Sequence, residues 1–96
     1  MDKLTAMATF VRIVDRGSLT AAAAAVDTSL PSVVRRLAEL ESLLGVRLLN
    51  RTTRRLSLTD EGREYYERSR RVLGDIDDAE SALAARRAAG RTAPAP

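Results

Sequence analysis

Apolar residues recur at helical spacing in four stretches of this 96-residue chain, and the breaks between the stretches carry turn and capping residues. Leu4, Met7, Val11 and Val14, with Phe10 beside them, make one stripe of an amphipathic helix from Asp2 to Arg16 that Gly17 can close in a left-handed cap. Ser18 offers the N-cap of a short second helix through Val26, whose run from Ala21 to Ala25 favours helix and lets neighbouring backbones come close. Asp27 and Thr28 read as a turn. Ser29 then caps a third helix, which accommodates Pro31 in its first turn because the amide that proline lacks would be unpaired there. Val33, Leu37, Leu40 and Leu44 form its predicted buried stripe, and Gly45 stops it.

Between the third and fourth stretches the periodicity changes. Leu48, Leu49, Leu56 and Leu58 bracket NRTTRRLSLT like two short strands, and that run sets four hydroxyls and three arginines before the first acid, Asp60. It reads as a basic β-hairpin tip suited to phosphates, and a basic hairpin after a compact helical region suggests a winged helix. A solvated charged loop is the alternative. Thr59 can cap a fourth helix, with Asp60 and Glu61 placing negative charge at its positive end. Tyr65, Ser69, Val72, Ile76, Ala79, Leu83 and Arg86 alternate spacings of four and three, a heptad seam, while Gly62, Tyr66 and Leu73 lie off it and can face the core. From Gly62 to Arg87 the rod would measure roughly 40 Å. One small domain cannot cover both stripes, so a partner chain is expected on the seam; an exposed amphipathic helix is the plainer reading. Gly74 costs this helix about 1 kcal/mol against alanine unless a close helix contact or a bend makes use of it. The ending AAGRTAPAP reads as a linker or tail. The predicted organisation is a winged helical unit over 1–58, a dimerisation helix over 59–89 and a flexible hinge or tail over 90–96.

Composition narrows the class. With 45% hydrophobic residues but 3% aromatics, the core is expected to be Leu, Val and Ala packed between helices. The net charge of +3 is mild, but its distribution is not. Six of the nine bases that precede Asp60 lie between Arg35 and Arg55, whereas seven bases meet seven acids from Glu61 onward. The positive surface is local. Cysteine and histidine are absent, which removes disulfides, thiolate nucleophiles, the usual zinc ligands and the commonest general base near neutral pH. Asp75, Asp77 and Asp78 could in principle gather a cation, but no nucleophile or base accompanies them, so a solvated helix face is the reading and no enzyme, metal or cofactor is expected. The missing aromatics also weaken any single-stranded RNA reading. No apolar run approaches a membrane span, and Asp2 beside Lys3 is unlike a signal peptide, so a cytoplasmic protein with no membrane partner is expected.

The second and third helices, joined by a turn of about three residues with Ala23 and Val33 small enough for close crossing, match a helix-turn-helix, with a plain three-helix bundle as the alternative. Leu30, Ser32, Val34, Arg35 and Arg36 lie off the buried stripe in the N-terminal half of the third helix, the part that a recognition helix presents to DNA.

The order of a first helix, GSLTAAAAAV, SLPSVVRRLAELESLLGVRLLNRTTRRLSLTDEG and a long helix resembles the N-terminal DNA-binding domain of LysR-type transcriptional regulators over nearly the whole chain. Its most specific pieces are Leu40 and Glu41 leading into LLGVRLLNR, and RTTRRLSLT before Asp60, Glu61 and Gly62. The resemblance implies a mainly α fold: a winged helix-turn-helix of three helices and a two-stranded β-hairpin wing, followed by a linker helix. It implies a homodimer through antiparallel linker helices, with Tyr65, Ser69, Val72, Ile76, Ala79 and Leu83 at the interface, bound to an interrupted inverted repeat in double-stranded DNA. It implies no small-molecule effector site here, since the family carries that site in a large C-terminal domain that this chain lacks. The recognition helix would begin at Ser29, with Leu30, Pro31, Ser32, Val34 and Arg35 facing bases or phosphates. Arg36, Arg51 and Arg55 would neutralise phosphates, with Thr52 beside them, and Arg54 matches the wing arginine that enters the minor groove. Three departures matter. Leu30 stands where glutamine or another polar residue is frequent, and Val34 where serine is usual, so thymine methyls replace hydrogen bonds as expected contacts. Asp27 and Thr28 replace the common glycine and apolar residue of the turn, which should survive with some loss of stability. A protein-interaction or dominant-negative module, acting through the linker helix alone, is the competing function.

Overall fold

A computed structural model of the chain describes residues 2–50 and 56–92. Four helices follow one another: α1 (Lys3–Arg16), α2 (Leu19–Ala25), α3 (Leu30–Leu44) and α4 (Asp60–Thr92). Their ends are set by local chemistry. The side chains of Asp2, Ser18 and Ser29 each accept a backbone N–H three residues on, at the starts of α1, α2 and α3. Thr59 does the same for α4, its Oγ1 accepting from the Gly62 amide at 2.9 Å. Gly17 (φ 76°) and Gly45 (φ 73°) close α1 and α3 in the left-handed conformation that glycine adopts without a Cβ penalty.

The turn between α2 and α3 is built in the same way from a less permissive residue. Asp27 has φ 53°, and among the described residues it is the one non-glycine with positive φ. The Asp27 amide donates to the Ala24 carbonyl at 3.3 Å and the Thr28 amide to Ala23 at 3.0 Å, a Schellman ending with aspartate where glycine is usual. The turn therefore keeps its hydrogen bonds at the cost of a strained backbone position.

α1 packs against α2, α3 and α4, and α2 against α3. The core gathers Ala6, Phe10, Ile13, Ala22, Ala23, Val33, Leu37, Leu40, Leu48 and Leu49, flanked by Leu19, Val26, Leu56, Leu58, Tyr65 and Tyr66. Two of the predicted stripes need correction. On α1 the buried arc is Ala6, Thr9, Phe10, Val11 and Ile13, while Leu4 is half exposed; three helical neighbours turn the covered face away from the simple stripe. On α3, Leu44 is exposed and Glu41 is buried in its place. The Glu41 carboxylate accepts the Leu48 amide at 2.7 Å and the Leu49 amide at 3.4 Å, so a charged side chain goes inside to satisfy backbone donors.

Beyond α3 the chain makes a single antiparallel bridge, Leu49 to Leu58, and no strand longer than this exists among the described residues. The Asn50 amide donates to the Ser57 carbonyl at 3.0 Å, and the Thr59 amide to Leu48 at 3.0 Å. The expected two-stranded wing is thus not seen among the described residues, which show this one bridge. α4 then runs 33 residues, to Thr92 rather than Arg87, because alanine and arginine in AARRAAGRT hold the helix across Gly90. This helix gives the molecule its long dimension of 65 Å against 25 and 23 Å across.

Candidate nucleic-acid interface

α3 has one face fixed and one free. Val33, Leu37, Leu40 and Glu41 are buried, whereas Leu30 and Val34 are each 41% exposed beside exposed Pro31 and Arg35. Ser32 and Arg36 are half-buried. The first turn is tied by Ser29, which donates its hydroxyl hydrogen to Ser32 Oγ at 2.9 Å and accepts the Ser32 amide at 3.3 Å. No acid lies in that turn, so the positive end of the helix dipole keeps its sign. Of the predicted recognition residues, Ser29, Leu30, Pro31, Val34 and Arg35 are exposed, and Ser32 and Arg36 lie half-buried at the flanks of that surface.

Arg36 differs from its neighbour. Its Nη1 donates to Thr9 Oγ1 on α1 at 3.3 Å, while Arg35 has no side-chain partner among the described residues. Arg51, Thr52, Arg54 and Arg55 lie outside the described residues. Their flanks are described: Asn50 Nδ2 donates to Ser57 Oγ at 3.0 Å and to the Leu58 carbonyl at 3.3 Å, reinforcing the bridge.

The α4 seam divides. Tyr65 is half-buried against the core with its ring 5.8 Å from that of Phe10, and Ser69 is 1% exposed within the chain's own domain. Both therefore contribute to packing within the chain, Ser69 fully buried and Tyr65 in part. Val72, Ala79 and Leu83 are exposed and Ile76 is half-buried. The reason is geometric: a straight helix of 3.6 residues per turn drifts against a seven-residue repeat, so a stripe that starts against α1 turns away from it further along α4. Gly62, Tyr66 and Leu73 do turn towards the domain, buried in the first case and half-buried in the others. Tyr66 donates its hydroxyl to Asp15 Oδ1 on α1, and the Arg70 guanidinium lies over its ring at 5.7 Å. Asp15 thereby raises the Tyr66 phenol above its ordinary value.

Asp75, Asp77 and Asp78 are exposed on α4, and among the described residues no three acids are arranged to hold a metal ion. No described helix is long and apolar enough to cross a membrane.

The family model of bacterial regulatory helix-turn-helix proteins of the lysR family matches residues 4–63, from α1 to the first turn of α4. The chain belongs to the LysR family. An HTH-type transcriptional repressor of Pseudomonas aeruginosa is 54% identical over 83 residues, covering 86% of this chain and 26% of that protein. The HTH-type transcriptional activator AaeR of Escherichia coli is 41% identical over 83 residues, covering 86% and 27%. This LysR-family chain thus spans about a quarter of the length of the curated relatives it matches. Among solved structures, BenM DBD in complex with benA site 1 DNA superposes with a TM-score of 0.83 at 32% identity, covering 94% of this chain and 99% of that one. CrgA, a LysR-type regulator from Neisseria meningitidis, superposes at 0.73 with 42% identity, covering 84% and 28%.

Two features of the LysR-family domain escaped the sequence reading. Glu41 was visible only as part of the Leu40–Glu41 motif, with nothing to say that it goes inside. Thr9 carried no signal, since a threonine on a helix is ordinarily surface.

Proposed function

We propose that this LysR-family chain binds double-stranded DNA sequence-specifically as a homodimer and regulates transcription from those sites. α3 enters the major groove; the segment holding Arg51, Thr52, Arg54 and Arg55 forms a two-stranded wing at the neighbouring backbone and minor groove. The observation that carries this reading is the free outer face of α3: Leu30, Pro31, Val34 and Arg35 stand exposed on a helix whose other side is fixed in the core. The likeness to BenM DBD bound to DNA supports it. Arg36, Arg51 and Arg55 neutralise phosphates and set the register, Arg35 reads a base edge, and Leu30 and Val34 meet thymine methyls. Arg54 senses minor-groove width. The partner helix covers Val72, Ile76, Ala79 and Leu83, so the seam begins about two turns beyond Tyr65, where the heptad count placed its start.

Selection from a random duplex library by the purified chain, at near-physiological salt, tests the reading. An interrupted inverted repeat is the expected product, and Arg35→Ala should then lose about 1–3 kcal/mol and blur one base position. Enrichment of no site, with tight association through α4, would replace this function with that of a dimerisation module.

A further inference from the structure

Arg36 is the recognition-helix cation that the fold holds in place, and the residue holding it is on another helix. We propose that Thr9 of α1 is a positioning residue that presents the Arg36 guanidinium to the DNA backbone, an assignment that rests on the reading of α3 as the DNA-facing helix. The Thr9 side chain is 1% exposed. Its one hydroxyl hydrogen is committed, donated to the Thr5 carbonyl at 2.7 Å one turn back along α1. The oxygen's lone pairs remain, and Arg36 Nη1 donates to them at 3.3 Å across the α1–α3 contact. The chain of donors has one direction, from Arg36 to Thr9 to Thr5, so the acceptor that Arg36 meets is already oriented.

Two properties fit positioning better than simple fastening of α1 to α3. The acceptor is neutral, so it fixes the guanidinium without cancelling its charge, and Arg36 makes no ion pair among the described residues. A carboxylate at the same place would hold the arginine more firmly and spoil it for phosphate. One of five N–H groups is used, which leaves the rest of the planar fork to donate to an anion. Arg35, without such a tether, must give up all its rotamer freedom when it binds; Arg36 has surrendered part of that freedom in the folded chain.

The test is the affinity of the 96-residue chain for a mixed-sequence DNA duplex across a range of salt. Thr9→Val, which keeps the shape and removes the hydroxyl, should weaken binding about 3- to 10-fold, the effect of freeing one long side chain. Arg36→Ala should flatten the slope of log affinity on log salt by about 0.9, the release accompanying one phosphate contact. In the Arg36→Ala background, Thr9→Val should add nothing. Thr9→Ser, which retains the hydroxyl, should bind as the parent does, and Thr9→Ala, compared with it, repeats the question should valine disturb folding. An equal loss from Thr9→Val with and without Arg36, or no loss at all, would overturn the proposal. An Arg36→Ala variant with unchanged affinity and salt slope would overturn it in a different way, by removing Arg36 from the DNA face.

Discussion

Replacing Gly62 with alanine adds one methyl group to the first turn of α4, at a point where the helix touches the backbone of the segment after α3. A Cβ there would stand 2.0 Å from the Leu48 carbonyl oxygen, 2.9 Å from its carbon and 3.2 Å from its Cα. The obstacle is main chain and is held from both sides: the Leu48 amide donates to Glu41 at 2.7 Å, and its carbonyl accepts from Thr59 at 3.0 Å. The oxygen and the new methyl must separate by at least 1.0 Å to reach the shortest contact that a real Cβ shows. Forced repacking of this kind costs about 1–3 kcal/mol, with a backbone obstacle at the upper end. Stretching the Thr59–Leu48 hydrogen bond removes about 1 kcal/mol more. Alanine's better helix propensity returns about 1 kcal/mol. The net expectation is a loss of about 3 kcal/mol, which for a chain of this size lowers Tm by roughly 12 to 24 °C. Gly74 supplies the control within the same helix, since a Cβ there meets nothing within 4 Å. Gly74→Ala should raise stability by about 0.5–1 kcal/mol. Thermal unfolding followed by far-ultraviolet circular dichroism reads both variants. If Gly62→Ala matches or exceeds the parent in Tm, the close approach of α4 to Leu48 is wrong.

Glu41→Ala orphans two backbone amides, those of Leu48 and Leu49. Each buried donor left unpaired costs about 1–3 kcal/mol, so urea unfolding should show a loss of about 2–4 kcal/mol, the Leu49 bond being the longer and weaker; a midpoint unchanged from the parent would refute the burial of these donors. Tyr66 should titrate above the ordinary phenol value of 10.0 because its neutral form donates to Asp15, a bond that the phenolate cannot make. The folded value is the raised one, so this contribution to stability is complete below pH 10 and fades as pH rises through the folded value. Tyrosinate absorbance should show a titration step above pH 10.0 that is lost in Tyr66→Phe, and a Tyr66→Phe difference curve centred at or below 10.0 would contradict the Asp15 bond.

The helix ends, apart from the C-terminus of α4, were legible in the sequence because each is decided within about one turn. Ser18, Ser29 and Thr59 cap the helices that follow them, Gly17 and Gly45 end those that precede them, and Pro31 sits where its missing amide does no harm. The helix-turn-helix pair and the exposed side of α3 follow from those boundaries and from the inward Val33, Leu37 and Leu40. The Leu49–Leu58 bridge likewise lies where the bracketing leucines put it.

Which side of each helix meets which neighbour was not legible, since a periodic pattern gives a stripe but not what lies across from it. Leu4 and Leu44 belong to stripes and are exposed; Thr9 and Glu41 are polar and buried. The polar pair could be placed inside only once their partners were known, Thr5 and Arg36 for one and the amides of Leu48 and Leu49 for the other. Tyr65 and Ser69 show the same division along α4: the seam repeats evenly in sequence, but α1 covers its first turns and leaves Val72 and Leu83 exposed. The sequence alone determined where all four helices start, where α1, α2 and α3 stop, and that six cations fall between Arg35 and Arg55, because those depend on neighbours along the chain. Tertiary structure alone decided that Thr9 tethers Arg36, that Glu41 goes inside and that Gly62 admits no side chain, because hydrogen bonds and steric contact between distant segments depend on ångström distances that no local pattern encodes.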